Sequence, residues 1–197
     1  MVFFLFSLFQ CLNFNLMTLT TEGLKPMLLT DSSRLSEIYN FRVDVWGQHE
    51  KSAIVNRRLF PEGWKDALDE SAFHWIVTNE EGKLIAAARL NIFNSVEVFP
   101  YQCCTRHLSM PLEKPFAFFS RLVVLPEYRG EGLSFQLAYS RMQFCEARGI
   151  KWMQAYINNE RVKKLYSELG FVDIGQAAIS YHPSSAPHAV NVLIKEY

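Results

Sequence analysis

The sequence predicts an α/β fold in which a mixed β-sheet of about six to seven strands is flanked by helices. Two patterns lead to this prediction. The second half of the chain reads strand, glycine loop, helix, strand, helix, strand, strand, and a crossover from strand through helix to strand makes the two strands parallel. The first half ends in a hairpin, whose strands are antiparallel, so the sheet as a whole is mixed.

The length and composition fit a single globular domain. The 197 residues carry 20 basic and 20 acidic side chains, so the formal net charge is zero. A balanced charge gives no sign of a nucleic-acid partner or of binding to a membrane surface. The cysteines match neither a zinc pattern nor a disulfide framework, and we expect reduced thiols in a cytoplasmic protein without a bound metal. They are Cys11, Cys103, Cys104 and Cys145.

The chain begins with a short apolar run that is soon interrupted by polar side chains. The run is shorter than the roughly 20 residues of a membrane-spanning helix. Because no basic residue precedes Lys25, the basic region of a signal peptide is missing as well. We therefore expect residues 1–26 to be an amino-terminal extension, either disordered or not native, and residues 27–197 to form a single domain. Met17 and Met27 are alternative start sites.

The rest of the first half is predicted to contain one clear helix, two weaker ones and the hairpin. Helical spacing begins at Asp31, a good capping residue, and continues to Gly47. A weak helix over residues 50–60, a short helix over residues 63–70 and hairpin strands over residues 73–78 and 84–93 follow. His74 lies inside the first hairpin strand, where a structural role is more common than a catalytic one.

The central strand of the second half is the apolar run 116–125, which is typical of a strand covered on both faces. After it come a glycine loop and helix, a strand over residues 150–157, a helix from Asn159 to Gly170, a strand from Phe171 and a last strand over residues 190–194. Ligands bind beyond the carboxyl ends of parallel strands, where the glycine loop should face the start of the Asn159 helix. The long irregular segment 94–115 is predicted to form the far wall of that site and to contact the acceptor substrate.

A glycine loop between a strand and a helix suits a phosphate, because glycine admits a bulky anion and the helix start offers free N–H groups. A Walker A loop is excluded, since neither GxxxxGKS nor GxxxxGKT occurs. A Rossmann fingerprint fits Gly130 and Gly132, but Phe135 stands where the third glycine should be. The acidic residue that should follow the next strand is also missing.

Two motifs together resemble those of the GNAT (N-acetyltransferase) superfamily. Residues 129–134, RGEGLS, are similar to its motif A, in which Ser134 replaces the usual last glycine or alanine. Residues 159–171, NERVKKLYSELGF, are similar to its motif B, with Val162 in place of the common alanine. The spacing of the motifs and the order of the elements around them also match, over residues 27–197.

The resemblance implies that acetyl-CoA, or another acyl-CoA, is the co-substrate and that its acyl group passes to an amine. In such a family the main chain of the central strand, here Leu122, Val123 and Val124, pairs with the pantetheine arm. The loop amides that hold the pyrophosphate belong here to Arg129, Gly130, Glu131, Gly132, Leu133 and Ser134. Asn159 is implied to contact the pantetheine, and Tyr166, the catalytic residue, to lie near the thioester sulfur.

These residue types suit the reaction. The oxyanion that develops when the amine attacks the thioester needs a fixed donor, for which the Val124 N–H is the candidate. A free tyrosine has a pKa of about 10 and a thiol of about 8.5, so full proton transfer would be uphill by roughly 2 kcal/mol. We therefore expect Tyr166 mainly to donate a hydrogen bond to the departing sulfur.

Several assignments stay open at the level of sequence. The general base is one of Glu97, His107 and Glu113 in the irregular segment, or a water relay. Arg121 either pairs within the fold or holds an acidic substrate. The leading hypothesis is an N-acetyltransferase acting on a primary amine of a small molecule or peptide. One alternative is the same fold with a longer acyl-CoA or acyl-carrier donor, for which the aromatic-rich segment 116–119 and the 16 phenylalanines are suited. The other is a non-catalytic acyl-CoA-binding module. Whether the chain forms a homodimer is also open.

Overall fold

The structure is a computed structural model and describes residues 23–48, 53–108 and 115–197. Within those residues, the sheet contains β1 (Met27–Leu28), β2 (Phe73–Thr78), β3 (Leu84–Phe93), β4 (Phe116–Val124), β5 (Trp152–Ile157), β6 (Val172–Ile179) and β7 (His188–Glu196). The order across this seven-stranded sheet is β1-β2-β3-β4-β5-β7-β6. Strands β4 and β5 are parallel, and the other neighbouring pairs are antiparallel. The predicted mixed sheet is therefore confirmed.

Helices lie around this sheet in the described part of the chain. They are α1 (Leu35–Gly47), α2 (Gln102–Thr105), α3 (Leu133–Glu146) and α4 (Glu160–Glu168), together with short 3-10 helices at Ser32–Arg34, Ala67–Ser71 and Pro126–Tyr128. Asp31 accepts a hydrogen bond from the Ser33 main-chain N–H at 2.8 Å, which caps the turn leading into α1 as predicted. A 3-10 helix capped by Asp66 replaces the short helix predicted over residues 63–70. Among the described residues, no helix is long and apolar enough to cross a membrane.

The weak helix predicted over residues 50–60 is wrong where the structure describes it, because residues 54–60 form only turns and bends. The side chain of Asn56 accepts hydrogen bonds from the main-chain N–H groups of Arg58 and Leu59 at 2.9 and 3.0 Å. Such a local acceptor competes with the helical pattern of hydrogen bonds. The beginning of the predicted segment lies outside the described residues.

Side chains alternate along β2, so its two faces pack against different helices. Trp75 and Val77 belong to a buried cluster that includes Leu137 of α3. Ile76, which lies between them in the sequence, packs in a separate cluster with Ile38 of α1. Helices α1 and α3 therefore cover opposite faces of the sheet.

The second half of the chain places the site. Strand β4, helix α3, strand β5 and helix α4 follow one another in the predicted order. Strands β6 and β7 are longer than predicted, and β7 lies between β5 and β6. Because β4 and β5 are parallel, the glycine loop after β4 and the start of α4 lie at the same end of the sheet.

Candidate active site

Strands β4 and β5 separate toward their carboxyl ends. On the β4 side their pairing runs only from Phe116 to Phe119, whereas the strand continues to Val124. Beyond the last pair, a cavity of about 690 Å³ is lined by the end of β4 and by Tyr156 and Ile157 of β5. The main chain at the end of β4 therefore faces this cavity instead of a neighbouring strand.

The hydrogen-bonding pattern of β3 and β4 gives the direction of the Val124 amide. The main-chain N–H of Leu125 donates to the carbonyl of Ile85 at 2.9 Å, and the next pair along the strands is Val124 with Ala86. Hydrogen-bonded and non-hydrogen-bonded pairs alternate in an antiparallel ladder. The N–H and C=O of Val124 thus point away from β3, toward the side of β4 where β5 is no longer paired with it.

The glycine loop forms one end of the cavity. Gly130 and Gly132 have φ angles of 95° and 75°, which glycine adopts without strain. Gly132 is the N-cap of α3, and no side chain caps that helix. Its first N–H groups and its dipole are therefore available to an anion. Of the predicted cofactor-binding residues, Leu122, Val123, Val124, Arg129, Gly130, Gly132, Leu133, Ser134 and Asn159 line the cavity, and Glu131 does not.

Two arginines line the same end of the cavity. Arg129 donates from Nε to the carbonyl oxygen of Val124 at 3.2 Å, which ties the loop to the end of β4. Arg161 lies in the first turn of α4, after the N-cap Asn159, whose Oδ1 accepts from the N–H groups of Arg161 and Val162 at 3.0 and 3.2 Å. Arg161 was not identified from the sequence. A cation in the first helical turn is disfavoured by the helix dipole, and this was the available signal that Arg161 is unusual.

Tyr166, the predicted catalytic residue, lines the cavity with only 1% of its surface exposed. Its hydroxyl oxygen accepts a hydrogen bond from Nη2 of Arg141 at 2.9 Å. A guanidinium group has no acceptor, so the phenolic hydrogen cannot be used in this contact. The hydroxyl of Tyr166 can therefore donate its hydrogen to a group in the cavity.

Arg141 was not identified from the sequence. It is fully buried in α3, where Nε donates to the Leu137 carbonyl and Nη1 to the Arg89 carbonyl, each at 3.0 Å. Its guanidinium lies 4.7 Å from the centre of the Phe119 ring. Arg141 follows Leu137 by four residues, so helical periodicity placed it on the buried face, where an arginine is unusual. That position was the available signal.

The opposite end of the cavity is mostly aromatic. It is lined by Val45, Trp46, Trp64, Tyr101, Phe118, Tyr156, Ile179 and Tyr181. The prediction that segment 94–115 forms this far wall is wrong for the described residues except Tyr101, and residues 109–114 lie outside them. The wall comes instead from the end of α1, from Trp64 and from the end of β6. These parts are far apart in the sequence, and no local pattern connects them.

The predicted general bases do not line the cavity in the part of the chain that the structure describes. Glu97 is exposed and accepts a hydrogen bond from the Ser95 hydroxyl. His107 has its Nε2 2.8 Å from the Gln176 carbonyl oxygen, and Glu113 lies outside the described residues. The charged side chains that do line the cavity are all arginines: Arg121, Arg129 and Arg161.

A buried network of charges lies behind the aromatic end. Asp69 pairs with Arg42 at 2.8 Å and with Arg89 at 3.0 Å. Asp66 pairs with Arg89 at 2.6 Å and also with Arg121. Burial opposes ionisation of Asp66, but Arg121 and Arg89 outweigh this effect and hold the pKa of its carboxyl group well below the usual range. Arg121, which the sequence left open, is thus paired within the fold.

His74 belongs to the same network and does not line the cavity, as expected of a structural histidine. Its Nδ1 accepts a hydrogen bond from Nη2 of Arg42 at 3.2 Å. Burial and the nearby Arg42 guanidinium lower the pKa of His74 to about 4. The ring is therefore neutral at physiological pH.

Comparison with known proteins adds independent findings. Residues 35–171 match the acetyltransferase (GNAT) family, and no curated protein matches the chain. The N-acyl amino acid synthase FeeM from uncultured soil microbes is 14% identical, with a TM-score of 0.62 over 88% of this chain and 90% of that one. Ribosomal-protein-S5-alanine acetyltransferase from Vibrio fischeri is 20% identical, with a TM-score of 0.58 over 89% and 93%.

A third similar structure is a phosphinothricin acetyltransferase from Sinorhizobium meliloti, solved in complex with AcCoA. It is 16% identical, with a TM-score of 0.57 over 88% of both chains. At these identities the similarity concerns the fold alone.

Proposed function

Because the chain belongs to the acetyltransferase (GNAT) family, we propose that it transfers an acetyl group from acetyl-CoA to a primary amine of a small molecule or peptide. The observation that carries this proposal is the position of three groups around one cavity. The glycine loop, Val124 and Tyr166 all line it. Together they offer an anion site, an oxyanion donor and a hydrogen-bond donor for a leaving group.

The residues of this cavity fit an acyl-CoA. The pyrophosphate would accept from the loop N–H groups and lie near Arg129 and Arg161. The unpaired edge of β4 from Leu122 to Val124 suits the two amides of the pantetheine arm, which can pair with a main chain as a strand does. The co-substrate would supply an activated thioester carbonyl, and Asn159 is placed beside the arm that carries it.

The side chains support direct attack by the amine. The Val124 N–H would donate to the carbonyl oxygen as negative charge develops on it. Tyr166 would donate its hydrogen to the departing sulfur, because the contact from Arg141 to the phenolic oxygen leaves that hydrogen unused. No carboxylate or imidazole of the described residues lines the cavity, so we assign removal of the amine proton to water.

A second candidate function keeps this site and changes the donor. The aromatic end of the cavity is suited to a longer acyl chain, delivered by CoA or by a carrier protein, and FeeM is named as an N-acyl amino acid synthase. A non-catalytic acyl-CoA-binding module is less favoured, because such a module has no use for a buried cavity tyrosine whose hydroxyl hydrogen is left unused by Arg141. The cytoplasmic location and a homodimer stay predictions.

Thermal-shift titrations with acetyl-CoA, longer acyl-CoAs and CoA test this proposal. Ligand at about 100 times its Kd should stabilise the protein by about 2.7 kcal/mol, and the ranking of ligands identifies the donor. Gly130→Ala should weaken the shift, because φ is 95° at that position although space for a methyl group exists.

Gly82→Ala is the matched control. Gly82 has a φ of 77° and equally open surroundings, but it lies in the hairpin turn away from the cavity, so its variant should bind the donor as the parent protein does. Absence of a shift with every CoA compound would contradict the proposal.

A further inference from the structure

Arg121 adopts an unusual backbone conformation in the wall of the cavity. Its φ of 54° is the only positive value at a residue other than glycine among those the structure describes. The residue lies at an irregularity of β4, where the pairing with β3 shifts between Ala87 and Arg89. Strained residues of this kind persist where surrounding structure holds them, and they cluster at binding and catalytic sites.

Two buried donors without acceptors belong to side chains that stack on each other at this position. The Arg121 guanidinium lies 3.9 Å from the ring centre of Trp64 and 4.9 Å from that of Tyr181. Nη2 of Arg121 donates to Asp66, but its Nε has no hydrogen-bond partner among the described residues, and neither has Nε1 of Trp64. Arg121 is 7% exposed and Trp64 is fully buried, yet both line the cavity. Because an unpaired buried donor is costly, an acceptor atom from a ligand would stabilise this arrangement.

The balance of buried charges indicates whether that ligand should be an anion or a cation. The network contains three guanidinium groups, those of Arg42, Arg89 and Arg121, but only two carboxylates, those of Asp66 and Asp69. One buried positive charge is therefore unbalanced, which is unfavourable without a counter-ion. The cavity wall in the described residues contributes no acidic side chain that could supply one.

We infer that Arg121 and Trp64 form a carboxylate-binding subsite, and that the acceptor is an amine whose molecule also carries a carboxylate. The inference rests on the proposed function and narrows its substrate class. A planar guanidinium with a free Nε suits a carboxylate better than any neutral group. The aromatic rings of Trp46, Tyr101 and Tyr181 around the subsite favour an apolar or aromatic body, as in a phenylalanine-like or leucine-like amino acid.

The test compares acceptors that carry or lack the carboxylate, at a fixed concentration of the uncharged amine. Phenylalanine, phenylalaninamide and phenethylamine are assayed with saturating donor by release of free CoA. The loss of one charge-assisted contact predicts that kcat/KM for the acid exceeds that for the amide by about 10- to 100-fold. Arg121→Gly relieves the positive φ while removing the guanidinium, and it should bring this ratio close to one. Arg121→Lys, which keeps the charge without the planar fork, should give an intermediate ratio.

A control variant and a binding measurement distinguish loss of the subsite from a general effect of the substitution on folding. Arg58→Gly removes an exposed arginine outside the cavity and should leave the ratio unchanged. In the unaltered protein, 3-phenylpropionate should raise the Tm more than 3-phenylpropionamide, which requires neither turnover nor a variant.

Three results would overturn the inference. The first is a kcat/KM for the amide that equals or exceeds that for the acid, and the second is an acid-to-amide ratio that Arg121→Gly does not reduce. The third is a preference for succinyl-CoA over acetyl-CoA that Arg121→Gly abolishes, because this would assign the subsite to the donor. Failure to release CoA with every amine would instead overturn the proposed function.

Discussion

Replacing Tyr166 by phenylalanine removes a single oxygen atom, and the structure indicates two separate consequences. The oxygen accepts a hydrogen bond from Nη2 of Arg141 at 2.9 Å. It also carries the hydrogen that can be donated to a ligand in the cavity. If that hydrogen stabilises the departing sulfur, kcat should fall by about 10- to 100-fold, at or below the low end for acid–base residues. KM for the acyl-CoA should change little, because the glycine loop and β4 hold the donor.

The second consequence concerns stability. In Tyr166→Phe, Nη2 of Arg141 loses its acceptor while the guanidinium stays fully buried. Hydrogen bonds to charged groups contribute about 1.5–3 kcal/mol, so the free energy of unfolding should fall by a similar amount. Urea denaturation measures this loss, and initial rates of CoA release measure the first consequence on the same preparation.

Tyr139→Phe is the matched control, since Tyr139 is 45% exposed and does not line the cavity. It should retain both the turnover and the stability of the parent protein. Unchanged turnover in Tyr166→Phe would remove this residue from the mechanism. Unchanged stability would show that the contact with Arg141 does not hold the hydroxyl.

Three further predictions address the fold around the site. The pKa of His74 is about 4 in the folded chain, below the usual 6.5. Its contribution to the free energy of unfolding is therefore fully present above pH 6.5 and is lost as pH falls through about 4. His74→Gln should therefore flatten the decrease in unfolding free energy between pH 7 and 4.5, by up to the order of 3 kcal/mol, in urea denaturation at each pH. Asn159→Ala removes the cap of α4 and should cost about 1 kcal/mol of stability and weaken acyl-CoA binding in calorimetry. Gly63→Ala would place a methyl group 2.7 Å from Tyr39 Cβ at a φ of 96°. We expect a Tm decrease equivalent to at least about 2 kcal/mol. A Tm near that of the parent protein would contradict the close approach.

The parts of the site that local sequence could predict are those carried by continuous motifs. Gly130 and Gly132 need left-handed φ angles, which few residues other than glycine adopt. Asn159 caps α4 through contacts to its own next residues. The parallel crossover then brings the two motifs to one end of the sheet, so their proximity followed from chain order.

The remaining parts depend on contacts between distant segments. Trp64 and Tyr181 meet around Arg121 only in the folded chain, and neither lies in a pattern that marks it as a cavity residue. Arg141 was detectable as an arginine on an apolar helix face, but its contact with Tyr166 of α4 was not. The far wall was assigned to segment 94–115 because of its length, whereas the rings that form it come from α1, β4, β5 and three separate loops.

A coupled product assay tests most directly whether this protein transfers an acyl group from acyl-CoA to an amine. The protein is incubated with acetyl-CoA and a panel of amines, and free CoA and acetylated amine are quantified together by mass spectrometry. We expect one acetylated amine for each CoA released, at a rate that falls by about 10- to 100-fold in Tyr166→Phe. Tight binding of acetyl-CoA with no acetylated product from any amine would contradict it.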